Sequence, residues 1–206
     1  MKTMKQRISI LAVLVCVAIQ LGAQNNWIVY GGGSMSHVCE KPLVGSDKTY
    51  GWGGGFFLGA GYELNFNKHW SLTPQLELSY MNNGAKLSSP ELTMFQRNAS
   101  WLDMWSVTLP VMAGYRFKLT DHVGLKVSAG PYIQESFAIR QYAQDGQAKE
   151  SAPRRSSAQF NVGAMGELAV ETGDHLSYMF RANYPFLKES WNSKTLNLSL
   201  GVRYSF

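Results

Sequence analysis

The sequence predicts an all-β protein, namely an eight-stranded antiparallel up-and-down transmembrane β-barrel that follows a cleaved signal peptide. Three observations support this prediction. The chain opens with the layout of a secretory signal, and alternation of apolar with polar residues then recurs along the rest of its length. Short polar turns also alternate with long connecting segments, which is typical of a meander of hairpins.

Residues 1–23 are predicted to be a secretory signal peptide. A basic start precedes the apolar run 8–21, which the small residues Gly22 and Ala23 follow. The apolar run is shorter than the roughly 20 residues that a membrane-spanning helix needs. We therefore expect cleavage after Ala23, against the alternatives of a retained anchor or a lipoprotein signal at Cys16.

Residues 24–206 are predicted to form a single β-barrel domain, because their number suits one folded unit. Loss of the signal removes three positive charges and lowers the formal net charge of the chain from +5 to +2. This weak charge gives no indication of nucleic-acid binding. Cys39 becomes the only cysteine, which excludes a disulfide within the chain and a thiolate metal cluster.

Eight segments of the mature chain alternate apolar and polar residues as strands do. The last strand is the clearest, because its apolar residues occupy every second position up to Phe206. In the second strand, bulky Phe57 falls on the polar side. In the first strand, the sequence leaves open whether Trp27 and Val29, or Ile28 and Tyr30, point outward. The predicted strands are 26–33, 52–66, 72–80, 101–117, 123–133, 158–170, 176–184 and 196–206.

The connections between these strands are of two kinds. Short polar turns end at His69, His122 and His175, which recur at equal intervals of 53 residues and indicate a repeated hairpin-plus-loop unit. Longer segments connect the strands at the opposite end, and these are predicted to be outer loops. The long segments are 34–50, 81–100, 140–156 and 185–194.

The residues on the two strand faces favour a membrane barrel over a secreted soluble β-protein. The apolar faces of 56–66, 72–80, 107–117 and 196–206 carry no charge, and the polar faces lack the density of Lys and Glu that keeps a water-exposed sheet soluble. Aromatic residues gather near the strand ends, as in the girdles of outer-membrane barrels. The sequence therefore predicts location in the outer membrane of a Gram-negative bacterium.

Charged residues on the polar faces predict an ion-pair network inside the barrel. An eight-stranded barrel is only wide enough for side chains to fill, so a diffusion channel is not expected. Unpaired charges in such an interior cost several kcal/mol, which favours pairing over the alternative of a proton or ion relay. The predicted members are Glu63, Glu77, Arg116, Lys126, Glu167, Arg181 and Arg203.

The histidines raise two further hypotheses, neither of which is favoured. A lipid hydrolase would need a histidine and a serine at the outer leaflet, and only His37 with Ser36 is predicted to lie in an outer loop. The three turn histidines belong to separate hairpins at the periplasmic end, too far apart to share one metal ion. We therefore predict no catalytic, cofactor or metal site.

The mature chain resembles the PorT-like outer-membrane β-barrel family of Gram-negative bacteria. The resemblance rests on the signal, the eight strands, the stretch LPVMAGYRF at 109–117 and a final strand that ends in Phe206. It implies that the last strand is a signal for the barrel assembly machinery, with Tyr204 and Phe206 as the aromatic residues of that signal. Members of such families often have no assigned activity.

The sequence predicts a monomer without cofactors that has a structural or surface-interaction role through its long outer loops. The expected partners are outer-membrane lipids, including lipopolysaccharide, the assembly machinery during biogenesis, and an unidentified surface or complex partner. The basic loop 140–156 is the candidate for contact with the phosphates of lipopolysaccharide. Two alternatives remain, an outer-leaflet lipid-modifying hydrolase and an accessory barrel subunit of a secretion or uptake complex.

Overall fold

The computed structural model describes residues 26–38, 48–50, 52–87, 100–120, 122–143, 159–173, 175–187 and 195–206. The predicted signal peptide, 1–23, lies outside this range. Within it no helix is long and apolar enough to cross a membrane. The described residues form the strands β1 Asn26–Val38, β2 Lys48–Tyr50, β3 Gly53–Asn65, β4 Trp70–Leu87, β5 Ser100–Lys118, β6 Val123–Ala143, β7 Gln159–Thr172, β8 Leu176–Pro185 and β9 Thr195–Ser205.

The eight long strands close into an antiparallel barrel, which confirms the predicted fold class. Consecutive long strands pair with one another, and β9 pairs with β1 to complete the cylinder. The short β2 pairs with the end of β4, with Lys48 opposite Leu87, and so continues the ladder that β3 forms on β4. Closure leaves no long strand with an unpaired edge.

The seam between β1 and β9 is held by strand pairing and by a backbone hydrogen bond beyond the end of β9. Val29 lies opposite Tyr204, and the backbone N–H of Phe206 donates to the carbonyl oxygen of Trp27 at 2.9 Å. The last residue therefore contributes to barrel closure through its backbone.

The strands extend further into the predicted outer loops than the alternation indicated. Residues 34–38, 81–87 and 140–143, all predicted as loop, belong to β1, β4 and β6, and Pro185 belongs to β8. Backbone pairing continues there because ladder hydrogen bonds do not depend on an apolar side chain, as the pair of Asn82 with Asp103 shows. Most of the remaining loop residues lie outside the described range.

The orientation of β1 is settled by side-chain burial. Trp27 is 63% exposed on the outer face, whereas Ile28 and Tyr30 are buried in the lumen. Phe57, the bulky residue on the polar side of β3, is also inside the barrel and packs near Tyr30, with 6.2 Å between the ring centroids. The lumen therefore contains a small apolar cluster in addition to its polar side chains.

The outer face combines an apolar band with aromatic clusters at both ends of the strands. Leu58, Leu76 and Leu200 are among the exposed residues of the band. Bands of this kind between aromatic girdles match the hydrocarbon and interfacial layers of a bilayer. One cluster, on the long-loop side, contains Phe56, Tyr80 and Trp105; the other, on the short-turn side, contains Trp70, Tyr115 and Phe117.

The short turns share a capping arrangement that accounts for the repeated sequence. The Asn67 side-chain oxygen accepts from the backbone N–H groups of His69 and Trp70, both at 2.8 Å. Thr120, 53 residues later, caps its turn in the same way. The third turn has Gly173 at the equivalent position with a φ of 70°, a conformation that favours glycine.

The turn histidines form hydrogen bonds that connect neighbouring hairpins. The carbonyl oxygen of His69 accepts from the backbone N–H of Arg116 at 2.8 Å, and its ring Nδ1 lies 3.1 Å from the Arg116 carbonyl oxygen. His175 makes the corresponding contacts with Ser205. The carbonyl oxygen of His122 accepts from the N–H of Gly173. These contacts give the repeated histidines a structural role.

Candidate functional site

Eight charged side chains form an ion-pair network in the lumen that consists of two groups of four, one near the short turns and one at the centre. The structure brings together all seven residues that the sequence named, and Glu171 is the eighth. Four of the eight are glutamates and four are cations, so the network as a whole is electrically balanced. An interior of this kind satisfies its buried charges internally and needs no bound counter-ion.

The lower part of the network lies near the short turns. Glu63 accepts from Lys126 Nζ at 2.7 Å and from Arg116 Nη2 at 3.1 Å. Arg116 also forms a two-point contact with Glu171, with distances of 2.6 and 2.9 Å. The Arg116 side chain is 36% exposed, which places it at the mouth on the short-turn side, whereas Lys126 is buried.

The central part is organised around the guanidinium group of Arg181. Its Nη1 lies 2.5 Å from Glu77, and its Nε lies 2.7 Å from Glu167. Its Nη2 donates to the Gln75 side chain at 2.9 Å. The other oxygen of Glu167 accepts from Arg203. Because β8 and β4 are not neighbours in the barrel, the contact of Arg181 with Glu77 and Gln75 crosses the lumen.

The surroundings of Arg181 exclude water and hold its side chain in place. The residue is 1% exposed, and its guanidinium carbon lies 4.4 Å from the centroid of the Tyr30 ring. Cations favour such positions over aromatic faces. Gly59 on the neighbouring strand leaves room for this ring, since a Cβ atom there would lie 2.3 Å from the Tyr30 ring. Gly59 and Tyr30 therefore both help to position the guanidinium group of Arg181.

Strand register explains how distant sequence segments meet here. Glu167 and Arg181 are direct partners across β7 and β8, so their ion pair follows from the hairpin. Arg116 and Lys126 are also direct partners across β5 and β6, which places two like charges side by side. The carboxylate of Glu63 contacts both cations and offsets their repulsion.

Sequence reasoning missed three contributors to the network. Glu171 shares the inward parity of Glu167 four residues earlier in β7, a signal that could have identified it. Gln75 was placed on the polar face of β4 but was not assigned to the network. Tyr30 belonged to the strand whose orientation was left open, so its position could not be used.

The enzyme hypothesis loses its geometric basis in the structure. His37 and Ser36 were predicted to lie in an outer loop, but both belong to β1. Neighbouring residues of a strand point to opposite faces. Ser36 is buried in the lumen, and His37 stacks on Trp52 with 4.9 Å between the ring centroids. The two side chains therefore do not form a nucleophile and base pair.

The turn histidines are also distributed rather than clustered. His69 stacks on Tyr115 and His175 stacks on Tyr204, both with 5.5 Å between centroids, in different hairpins. In the part of the chain that the structure describes, no group of three His, Cys, Asp or Glu residues could hold a metal ion.

Comparison with known proteins places the chain in a family. The model of a family described as the outer membrane protein beta-barrel domain matches residues 22–190. The chain belongs to this family. It is therefore an outer-membrane β-barrel protein of Gram-negative type, as predicted, and its apolar band faces lipid. The match ends before β9, which the seam with β1 nevertheless makes part of the same barrel.

Two solved small outer-membrane barrels, OprG and Neisserial surface protein A, share this fold. OprG of Pseudomonas aeruginosa is 14% identical, with 88% of this chain and 96% of that chain covered and a TM-score of 0.53. Neisserial surface protein A is 15% identical, with 87% and 97% covered and a TM-score of 0.50. Ail of Yersinia pestis is 18% identical, with 89% and 100% covered and a TM-score of 0.47. A comparison with curated proteins found no match.

Proposed function

We propose that this outer-membrane barrel is a structural or surface-interaction protein, whose lumen is plugged by side chains and whose long outer loops carry the recognition. The observation that supports this proposal most strongly is the contact of Arg181 with Glu77 across the lumen. A pore for solutes needs an open cross-section, and here an ion pair and the Tyr30 ring occupy the centre.

The charge balance of the lumen supports the same proposal. Pores selective for ions display rings of one sign of charge, which attract the permeating ion. In this barrel each carboxylate of the network contacts a cation within 3.1 Å, so the described residues of the lumen form no such ring. The barrel then serves as a rigid anchor, and function depends on the surface that it displays.

The partners are proposed from residues at the two ends of the strands, namely an outer loop and the end of β9. The basic loop 140–156 is proposed to contact the phosphates of lipopolysaccharide. Tyr204 and Phe206 are proposed to be read by the barrel assembly machinery, because both are exposed on the outer face at the end of β9. Neisserial surface protein A is, by its name, a surface protein, which agrees with a surface role for this chain. We also propose that the chain belongs to the PorT-like subgroup, on the basis of the stretch LPVMAGYRF at 109–117.

The alternatives make different predictions. The separation of Ser36 from His37 speaks against the hydrolase. An accessory role in a secretion or uptake complex would give specific crosslinks to the subunits of that complex in intact cells, whereas a monomeric surface barrel would not.

Loop replacement tests the proposed surface role. Segments 88–99 and 144–156 would be exchanged, separately, for short Gly-Ser linkers in the full chain. We expect both variants to keep the heat-modifiable gel mobility of a folded barrel, and the 144–156 variant to lose binding to lipopolysaccharide. Retained binding in both variants, measured on purified protein in lipid nanodiscs, would contradict the proposal.

A further inference from the structure

The outer half of the lumen contains a cavity that the charge network does not use. Glu77 forms its base, and Ser79, Thr108, Gln134, Asn183 and Asn197 are part of its lining. Above Glu77 these polar groups are uncharged hydroxyls and amides. The cavity is partly open and has room for roughly one or two water-sized groups.

Two hydrogen-bond acceptors in this cavity receive no hydrogen bond from the described residues of the protein. The side-chain oxygens of Asn183 and Asn197 are buried, and neither accepts a hydrogen bond from any described residue. The two asparagines are direct partners across β8 and β9, so they project side by side into the same space. Buried acceptors without donors are costly, and they are uncommon in folded proteins.

The chemistry of the lining restricts what can bind there. The ligand has to donate hydrogen bonds, because the unsatisfied atoms are acceptors. A cation is disfavoured, since the Glu77 carboxylate is already engaged by Arg181 at 2.5 Å and leaves no free negative charge. An anion is disfavoured too, because the Asn183 and Asn197 oxygens would repel it. A neutral group with hydroxyl donors fits both the charge and the hydrogen-bonding requirement.

We propose that the outer half of the lumen is a binding site for a polyhydroxylated solute, whose terminal hydroxyl groups donate to Asn183 and Asn197. Because the cavity admits only a small group, the end of the ligand enters and its remainder stays towards the outer mouth. Free glycerol and a terminal sugar unit share this chemistry. The site is independent of the proposed role of the loops, since every residue in it belongs to a strand.

A ligand titration with designed variants tests this site. The mature chain would be uniformly ¹⁵N-labelled in lipid nanodiscs and titrated with glycerol, and separately with methyl glucoside. We expect saturable shifts of the backbone amide signals of Ser79, Thr108 and Gln134. In the double variant Asn183→Leu, Asn197→Leu, the apparent affinity should fall by about tenfold or more, because two hydrogen bonds are lost.

Asn161 provides a matched control on β7. It is an inward and buried asparagine, but its side-chain oxygen already accepts from the backbone N–H of Val162 at 2.8 Å. Asn161→Leu should therefore leave the affinity within twofold of the wild type. If the leucine double variant does not fold, the pair Asn183→Ala, Asn197→Ala removes both acceptors without adding bulk and should show the same loss.

Three results would overturn the proposal. The first is a set of chemical shifts that grow linearly with ligand concentration without saturation. The second is a response to 1,2-dimethoxyethane, which lacks hydroxyl donors, as large as the response to glycerol. The third is a loss of affinity in the Asn161→Leu control as large as that in the double variant. Saturation with glycerol alone would identify a free polyol as the ligand. Tighter binding of methyl glucoside would identify a sugar end.

Discussion

Arg181 on β8 contacts Glu77 on β4 across the width of the barrel, with 2.5 Å between Nη1 and Oε2. The pair joins two strands that share no backbone hydrogen bonds. It therefore fixes the distance between opposite walls, which a ladder of neighbouring strands cannot do. Loss of one member would leave a charge in a buried, water-poor environment.

Substitution of Arg181 should strongly destabilise the barrel. For Arg181→Met we expect the free energy of unfolding to fall by about 3–5 kcal/mol, because Glu77 and Glu167 lose a buried partner. The measurement is reversible urea unfolding in lipid vesicles, followed by tryptophan fluorescence. Arg116→Met is the control, since that side chain is 36% exposed and should cost about 1 kcal/mol or less. Equal losses in the two variants would contradict the assigned role of Arg181.

Lys126 and Glu63 should behave as a coupled pair. Lys126→Met leaves the buried Glu63 carboxylate with Arg116 alone and should be destabilising. The double variant Lys126→Met, Glu63→Leu removes both charges and should be more stable than the sum of the two single losses indicates, with a coupling energy of about 0.5–3 kcal/mol. A double-mutant cycle on urea unfolding measures this value, and strict additivity would show that the two residues act separately.

Gly59 should not tolerate a side chain. A Cβ atom there would lie 2.3 Å from the Tyr30 ring, so Gly59→Ala should cost about 1–3 kcal/mol through overpacking. Gly166→Ala is the matched control, because nothing lies within 4 Å of its Cβ position. Tyr30→Leu should partly rescue Gly59→Ala. Equal stability of the two alanine variants would disprove the steric account of the Tyr30 position.

The aromatic end of β9 should matter more for assembly in cells than for stability. Phe206→Ser keeps the backbone bond to Trp27 but removes the proposed assembly signal. We expect a several-fold drop in the fraction of protein with folded, heat-modifiable mobility in outer-membrane preparations. Phe186→Ser is the control, since Phe186 is a similarly exposed aromatic that follows β8. An equal drop in both variants would point to a general loss of membrane contact instead.

The faces of most strands could be predicted from sequence because every second residue meets lipid. In β4, Leu76 and Leu78 face outward while Gln75 and Glu77 face inward, as the alternation indicated. β1 was ambiguous because the inward Ile28 and the outward Val29 are both apolar. The extensions of β4 and β6 beyond the apolar band were missed, since the sequence there does not alternate apolar with polar residues.

The members of the lumen network could be named from sequence, but their pairing could not. Parity shows that Glu77 and Arg181 both point inward. Their contact depends on the relative stagger of β4 and β8, which is set by the barrel as a whole. Glu171 was overlooked because it lies at the end of β7. A carboxylate next to a turn is ordinarily expected to point to solvent.

Single-channel recording in planar lipid bilayers tests the plugged lumen most directly. Purified wild-type protein, shown to be folded by its heat-modifiable mobility and inserted at the density of a porin control, should give no stable conductance steps. This expectation follows from the Arg181 contacts with Glu77 and Glu167 in the centre of the lumen. Reproducible, long-lived ohmic steps from the wild-type barrel would contradict it.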